Sequence, residues 1–188
     1  EYLLEGSRVI AESTGGDVIW YYDDSDGVRP AMEYEGDSYY YVYNLQGDVL
    51  GLVDEIGEVV VEYTYDSWGN ILSVTGSMAS TLGVDNPFRY RGYYYDEESG
   101  LYYLNSRYYD PVTGRFINAD GYLGANGDML AYNLFAYCSN NPINYSDPTG
   151  TFKLWNAIKN FVKSFMNDYA APDENIVDAI SSAAPIAG

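Results

Sequence analysis

From Glu1 to about Asp66 apolar and polar positions alternate with a period near two, broken every ten or so residues by a glycine turn. "YYYVYN" (Tyr39–Asn44) reads as a half-buried strand ending in the turn "LQGD". "VLGLVD" follows, then "DEIG", "EVVVEYTYD" (Glu58–Asp66) and "SWGN". Gly36, Gly47, Gly57 and Gly69 recur at steps of 11, 10 and 12 residues. That spacing suits hairpins with strands of about five to seven residues. It also suits a repeat array whose units bury their faces only against neighbours. "GSMASTLGVDNP" (Gly76–Pro87) lacks strand character and is expected to be a surface loop. The alternation resumes in "FRYRGYYYDEESGLYYLNSRYYDPVTGRFINAD" (Phe88–Asp120), where Tyr95-Asp96 and Tyr109-Asp110 each close a strand before a Gly turn. Asp at a turn start accepts backbone N–H bonds and Gly supplies positive φ. "DMLAYNLFAYC", from Asp128, suggests a helical turn and then a strand, and "NNPINYSDPTG" suggests two turns.

Across "NYSDPTGTFKLWN" (Asn144–Asn156) the period changes from two to 3.6. Leu154, Trp155, Ile158, Phe161, Val162, Phe165 and Met166 form one apolar stripe, with Lys153, Lys159 and Lys163 on other faces. "PDENIVDAISSAAPIAG" predicts a second short helix starting at Pro172. Charge changes at the same place. Residues 1–150 hold six Arg and no Lys against 24 acids, a balance of −18, and residues 151–188 hold three Lys against four acids, a balance of −1.

Composition narrows the chemistry. Tyr supplies 23 of the 188 residues, and its apolar ring with a polar tip suits strands that end near water. A formal charge of −19 argues against nucleic acid as a partner. The chain has no His, which removes Ser/His/Asp and Cys/His nucleophilic pairs and every His-ligated metal site. The single Cys138 cannot form an internal disulfide and reads as a buried small apolar residue. No apolar stretch is long enough to cross a bilayer as a helix. No signal peptide is visible, and the chain opens on Glu1 rather than Met, which points to a piece of something longer.

"RYRGYYYDEESGLYYLNSRYYDPVTGRFINAD" with "YNLFAYCSNNPINYSDPTG" resembles the RHS repeat-associated core, the C-terminal end of the YD-repeat shell in Rhs and wall-associated polymorphic toxins. "YYYVYNLQGDVLGLVDEIGEVVVEYTYDSWGN" resembles the YD repeat before it. The resemblance implies a mainly β fold, a spiralling antiparallel sheet at the end of a hollow shell, with a short helical C-terminal segment. It implies YD-repeat strands over 1–75, the surface loop at 76–87, the core over 88–150 and the start of a variable region over 151–188. It also implies an aspartyl autoprotease that cuts its own chain just beyond Asp-Pro-x-Gly. On that mapping the catalytic residues are Asp120 and Asp147, with Arg115 as the orienting cation and Asp128 as a second candidate for Asp120's role. The cleavage region is Gly150, Thr151 and Phe152. Gly121 follows the first Asp where relatives often have Pro, and Thr151 stands where they often have Leu.

Two neighbouring carboxylates hydrolyse a peptide when one stays protonated and the other activates water, with no His, metal or cofactor. From the residues alone, Asp-Pro and Asp-Gly are turn dipeptides. "YYDDSDG" (Tyr21–Gly27) has a partial calcium-loop look, but strand sequence surrounds it and an acidic turn is the preferred reading. The Tyr-rich strands suit cross-strand aromatic ladders better than a sugar-stacking surface, because Tyr lines nearly every strand.

The expected function is therefore the closing part of an Rhs shell that cleaves itself after Asp-Pro-Thr-Gly and frees its C-terminal segment. The expected partners are that enclosed segment and the missing N-terminal YD repeats. The expected location is secreted or attached to the cell surface or wall. With only three Lys, the 153–166 stripe favours a protein surface over a membrane. The alternative is a non-cleaving structural or adhesive surface module. Carboxylates of Asp120 and Asp147 more than about 8 Å apart, too far to share a water, would favour that alternative.

Overall fold

In the computed structural model the described residues are 1–6, 8–14, 17–25, 27–120 and 133–151. Eight strands form one antiparallel meander in chain order: β1 (Tyr2–Glu5), β2 (Arg8–Thr14), β3 (Asp17–Tyr22), β4 (Ala31–Tyr34), β5 (Asp37–Tyr43), β6 (Val49–Val53), β7 (Val59–Tyr65) and β8 (Ile71–Thr75). A second meander of four short strands comes next: β9 (Tyr94–Asp96), β10 (Leu101–Tyr103), β11 (Tyr108–Asp110) and β12 (Arg115–Phe116). Asp128, Phe152 and the expected helices after Gly150 lie outside the described residues.

One turn recurs at the hairpins. Asn44, Asp54 and Asp66 each accept two backbone N–H bonds on their Oδ1, from the residues two and four positions on. The backbone then closes at Gly47, Gly57 and Gly69, whose φ values of 87°, 86° and 89° lie where a Cβ is unfavourable. The acidic "DSDG" stretch ends in the same device, with Asp24 accepting the Val28 N–H and the Gly27 N–H bonding the Asp24 carbonyl.

Alternation puts Ile19, Tyr21, Met32, Tyr34, Tyr39, Tyr41, Leu52, Val61 and Tyr63 on the buried face of the large sheet. The segment expected to be a surface loop covers part of that face. It contains a short helix α1 (Leu82–Asp85), with Leu82 and Asn86 fully buried. The physical reason lies in the strand tyrosines, whose hydroxyls need partners once the rings are inside. Tyr34 bonds Asp85, Tyr41 bonds Asn86 Oδ1, and Tyr63 bonds the Gly83 carbonyl. On the small sheet Tyr95, Tyr102, Tyr109 and Phe116 stand opposite one another across four strands as an aromatic ladder. Tyr90, Tyr102 and Tyr109 donate to the carbonyls of Ser67, Gly69 and Trp68, which docks the small sheet on the β7–β8 turn.

Candidate functional site

The site forms where the last described loop folds back on the small sheet. Tyr137 is fully buried against Tyr93, Tyr109 and Phe116 and anchors the loop. Cys138, Ser139 and Asn140 then take positive φ in succession and reverse the chain. Cys138 is buried as expected, and burial pushes its thiol up to about 12, so it stays protonated. The link between the sheets and the β5–β6 turn fix the next residues, with Arg91 Nη2 donating to the Pro142 carbonyl and Gln46 Nε2 to that of Ile143. Asp147 arrives with its N–H donated to the Tyr93 hydroxyl at 3.0 Å and its residue 1 % exposed.

Asp120 and Asp147 converge on one guanidinium, that of Arg107. Its Nη2 is 3.1 Å from Asp120 Oδ2 and 3.3 Å from Asp147 Oδ2. The two oxygens therefore cannot be farther apart than twice the longer distance, inside the about 8 Å limit for sharing a water. Arg107 is buried, lies 3.6 Å over the Phe116 ring, and donates from Nη1 to the Leu134 carbonyl. That carbonyl also accepts the Asp120 N–H, which ties the first aspartate to the same point. Arg107 Nε donates to the carbonyl of Gly150. On the other side of the same peptide bond, the Thr151 N–H donates to Asp147 Oδ1 at 3.0 Å. The Gly150–Thr151 bond is thus gripped at its oxygen by a cation and at its nitrogen by a carboxyl group.

Burial pushes the Asp147 carboxyl above its ordinary 3.8; the Arg107 charge and the N–H bonds from Thr149 and Thr151 pull it down, and Asp120 adds to the rise. Burial also lowers Arg107, opposed by Asp120 and Asp147. An arginine stays protonated under such a shift.

Arg115, expected beside the pair, is placed elsewhere. On the two-residue strand β12, Phe116 points into the aromatic core and Arg115 points out, exposed, toward Asn133 Oδ1 at 3.5 Å. The cation at the site is Arg107, which sequence reasoning missed. Its signal was a lone Arg opening "RYYDP" in a segment poor in cations. A cavity of about 960 Å³ opens between the two sheets. Pro148 and Leu104 reach its wall, but Asp120, Asp147 and Arg107 do not line it. The paired carboxylates thus lie outside the cavity, against the backbone of the chain's own 147–151 loop.

A consecutive antiparallel meander with tyrosines on its buried face and an Asx–Gly turn at the hairpins defines the wall of a YD-type shell. A family profile described as Teneurin YD-shell matches residues 7–143, and the chain belongs to that family, whose relatives include Rhs-type toxins. "tRNA nuclease WapA" of Bacillus subtilis (strain 168) is 45% identical over a match covering 80% of this chain and 7% of that protein. "Toxin protein Tse5" of Pseudomonas aeruginosa is 38% identical over 55% of this chain and 7% of its own length. The crystal structure of TcdB2-TccC3 superposes with a TM-score of 0.58 at 23% identity, covering 78% of this chain and 7% of that one, and shares the fold. The chain thus spans less than a tenth of each of these proteins.

Proposed function

We propose that this chain is the closing part of a toxin-enclosing YD shell, and that it cuts itself between Gly150 and Thr151 to free its C-terminal segment. The observation that carries the proposal is the grip on that one peptide bond. Arg107 Nε polarises the Gly150 carbonyl, as an oxyanion donor does. Asp147 Oδ1 lies at the leaving nitrogen, and Asp120 stands on the same guanidinium as the second carboxylate. One carboxyl acts as acid and the other as base, with water as the net co-reactant. Because the scissile bond belongs to the chain, cleavage is a single turnover. The names of the relatives, a tRNA nuclease and a toxin protein, support a toxin setting. A non-cleaving surface module has no need of two carboxylates and a cation focused on one peptide bond.

The test is intact mass of the 188-residue chain carrying single substitutions. Asp147→Asn and Asp120→Asn are expected to stay whole. Arg107→Lys, which keeps the charge but loses the planar fork, is expected to slow cleavage at least about tenfold. Arg115→Ala is expected to cleave like the parent chain. Equal cleavage in Asp147→Asn and the parent would refute the role given to the pair.

A further inference from the structure

The pair of aspartates does not by itself say which oxygen first attacks the Gly150 carbonyl. Both Asp147 oxygens are engaged, Oδ1 by the Thr151 N–H and Oδ2 by Arg107 Nη2. The chain at 104–107 crowds the α-carbon beside the bond. A Cβ built on Gly150 would meet the Leu104 carbonyl at 2.6 Å and Ser106 Oγ at 2.7 Å, which leaves no room there for a methyl group. A nucleophile is nonetheless attached to the bond itself. The hydroxyl oxygen of Thr151 is four covalent bonds from the Gly150 carbonyl carbon, so attack closes a five-membered ring and needs no diffusing partner. That hydroxyl is also held in place, with Oγ1 2.9 Å from Thr149 Oγ1 across a Gly150 of φ 65°.

We propose that Thr151 supplies the nucleophile for its own release, in two steps, an inference that rests on the self-cleavage proposed above. In the first step Thr151 Oγ1 bonds to the Gly150 carbonyl carbon and the carbon–nitrogen bond breaks. The hydroxyl proton ends on the Thr151 nitrogen through the Asp147 carboxyl. The product is an ester between Gly150 and the Thr151 side chain, with a free amine and no co-reactant consumed. Arg107 Nε stabilises the oxyanion that forms on the way. In the second step water adds its hydroxyl to the ester carbon and its proton to Oγ1. This leaves a Gly150 carboxyl group and an intact Thr151 side chain. Asp120, 16% exposed at its side chain, is the carboxylate placed to take the water's proton.

The test compares the 188-residue chain with Thr151→Val, which keeps the branched shape and removes the hydroxyl, and with Thr151→Ser, which restores it. Thermal unfolding of each confirms that the fold is kept. Thr151→Val is expected to cleave at least about a hundredfold more slowly, and Thr151→Ser to stay within about tenfold of the parent. Hydroxylamine is expected to speed the parent and leave a Gly150 hydroxamate in the mass spectrum, the trapped ester. If Thr151→Val cleaves at the parental rate, or Thr151→Ser is as inert as Thr151→Val, the threonine mechanism is overturned and the Asp–Arg assignment stands. If the parent itself never cleaves, both proposals fall.

Discussion

Asp147 is 1 % exposed, a burial that an ionised carboxylate resists, and it faces a guanidinium that it shares with a second aspartate. Burial raises its pKa above 3.8, and Arg107 only partly offsets that rise. The sign matters for the proposed proton relay, in which the Asp147 carboxyl takes the hydroxyl proton as it gives its own to the Thr151 nitrogen. A raised value keeps Asp147 protonated to higher pH than an exposed aspartate, so the relay is expected to persist above 3.8 and to fail as pH climbs through the folded value. Chains made by cell-free synthesis and chased into buffers of graded pH should therefore cleave at rates with a descending alkaline limb centred above 3.8. A limb centred at or below 3.8 would contradict the assignment. At this scale the structure brings the two marked aspartates together and places Arg107, not Arg115, between them. Asp120 and Asp147 stand in motifs that mark them. Arg115 is the nearer arginine along the chain, but strand alternation turns it outward. Arg107 is 40 residues from Asp147 and meets it only because β11 and the returning loop lie side by side. Nor does the sequence disclose burial of Asp147, because Asp-Pro is ordinarily an exposed turn.

At the scale of elements, one turn and one residue type carry most of the architecture. The Asx–Gly hairpin was legible because its residues have local jobs, two N–H bonds for the acid or amide and a positive φ for the glycine. The strands around it matched the alternation, to within a residue or two at their ends. In the segment 76–87 the burial of Leu82, Gly83 and Asn86 was not legible, since it depends on tyrosines contributed by β4, β5 and β7. Gly69 shows how turn and packing combine. Its φ is 89°, its carbonyl accepts the Tyr102 hydroxyl, and an added Cβ would lie 2.5 Å from the Tyr90 ring. Gly69→Ala is expected to destabilise the chain by about 1–3 kcal/mol, read from the midpoint of urea unfolding. Gly57 has the same φ class with open space around it. Gly57→Ala should lose only the about 1 kcal/mol of the backbone term. Equal losses at the two sites would show that the Tyr90 contact carries no weight.

For the molecule as a whole, the two sheets do different work. The large sheet is wall, and among the described residues β1 pairs only with β2. Its outer edge therefore offers unpaired N–H and C=O groups to a further strand. The small sheet and its returning loop bring Asp120, Arg107 and Asp147 together at the place where charge balance and hydrophobic period both change. Wall and site are coupled through Arg91 and Gln46, which reach from the large-sheet side to the loop that carries Asp147. A chain with this geometry is expected to release the segment beyond Gly150 without help from another protein. The most direct measurement is the intact mass of the purified wild-type chain. Self-cleavage predicts two species, one ending at Gly150 and one beginning at Thr151. A single uncut chain in which Asp147 and Arg107 are folded as described, or a cut at any other bond, would contradict it.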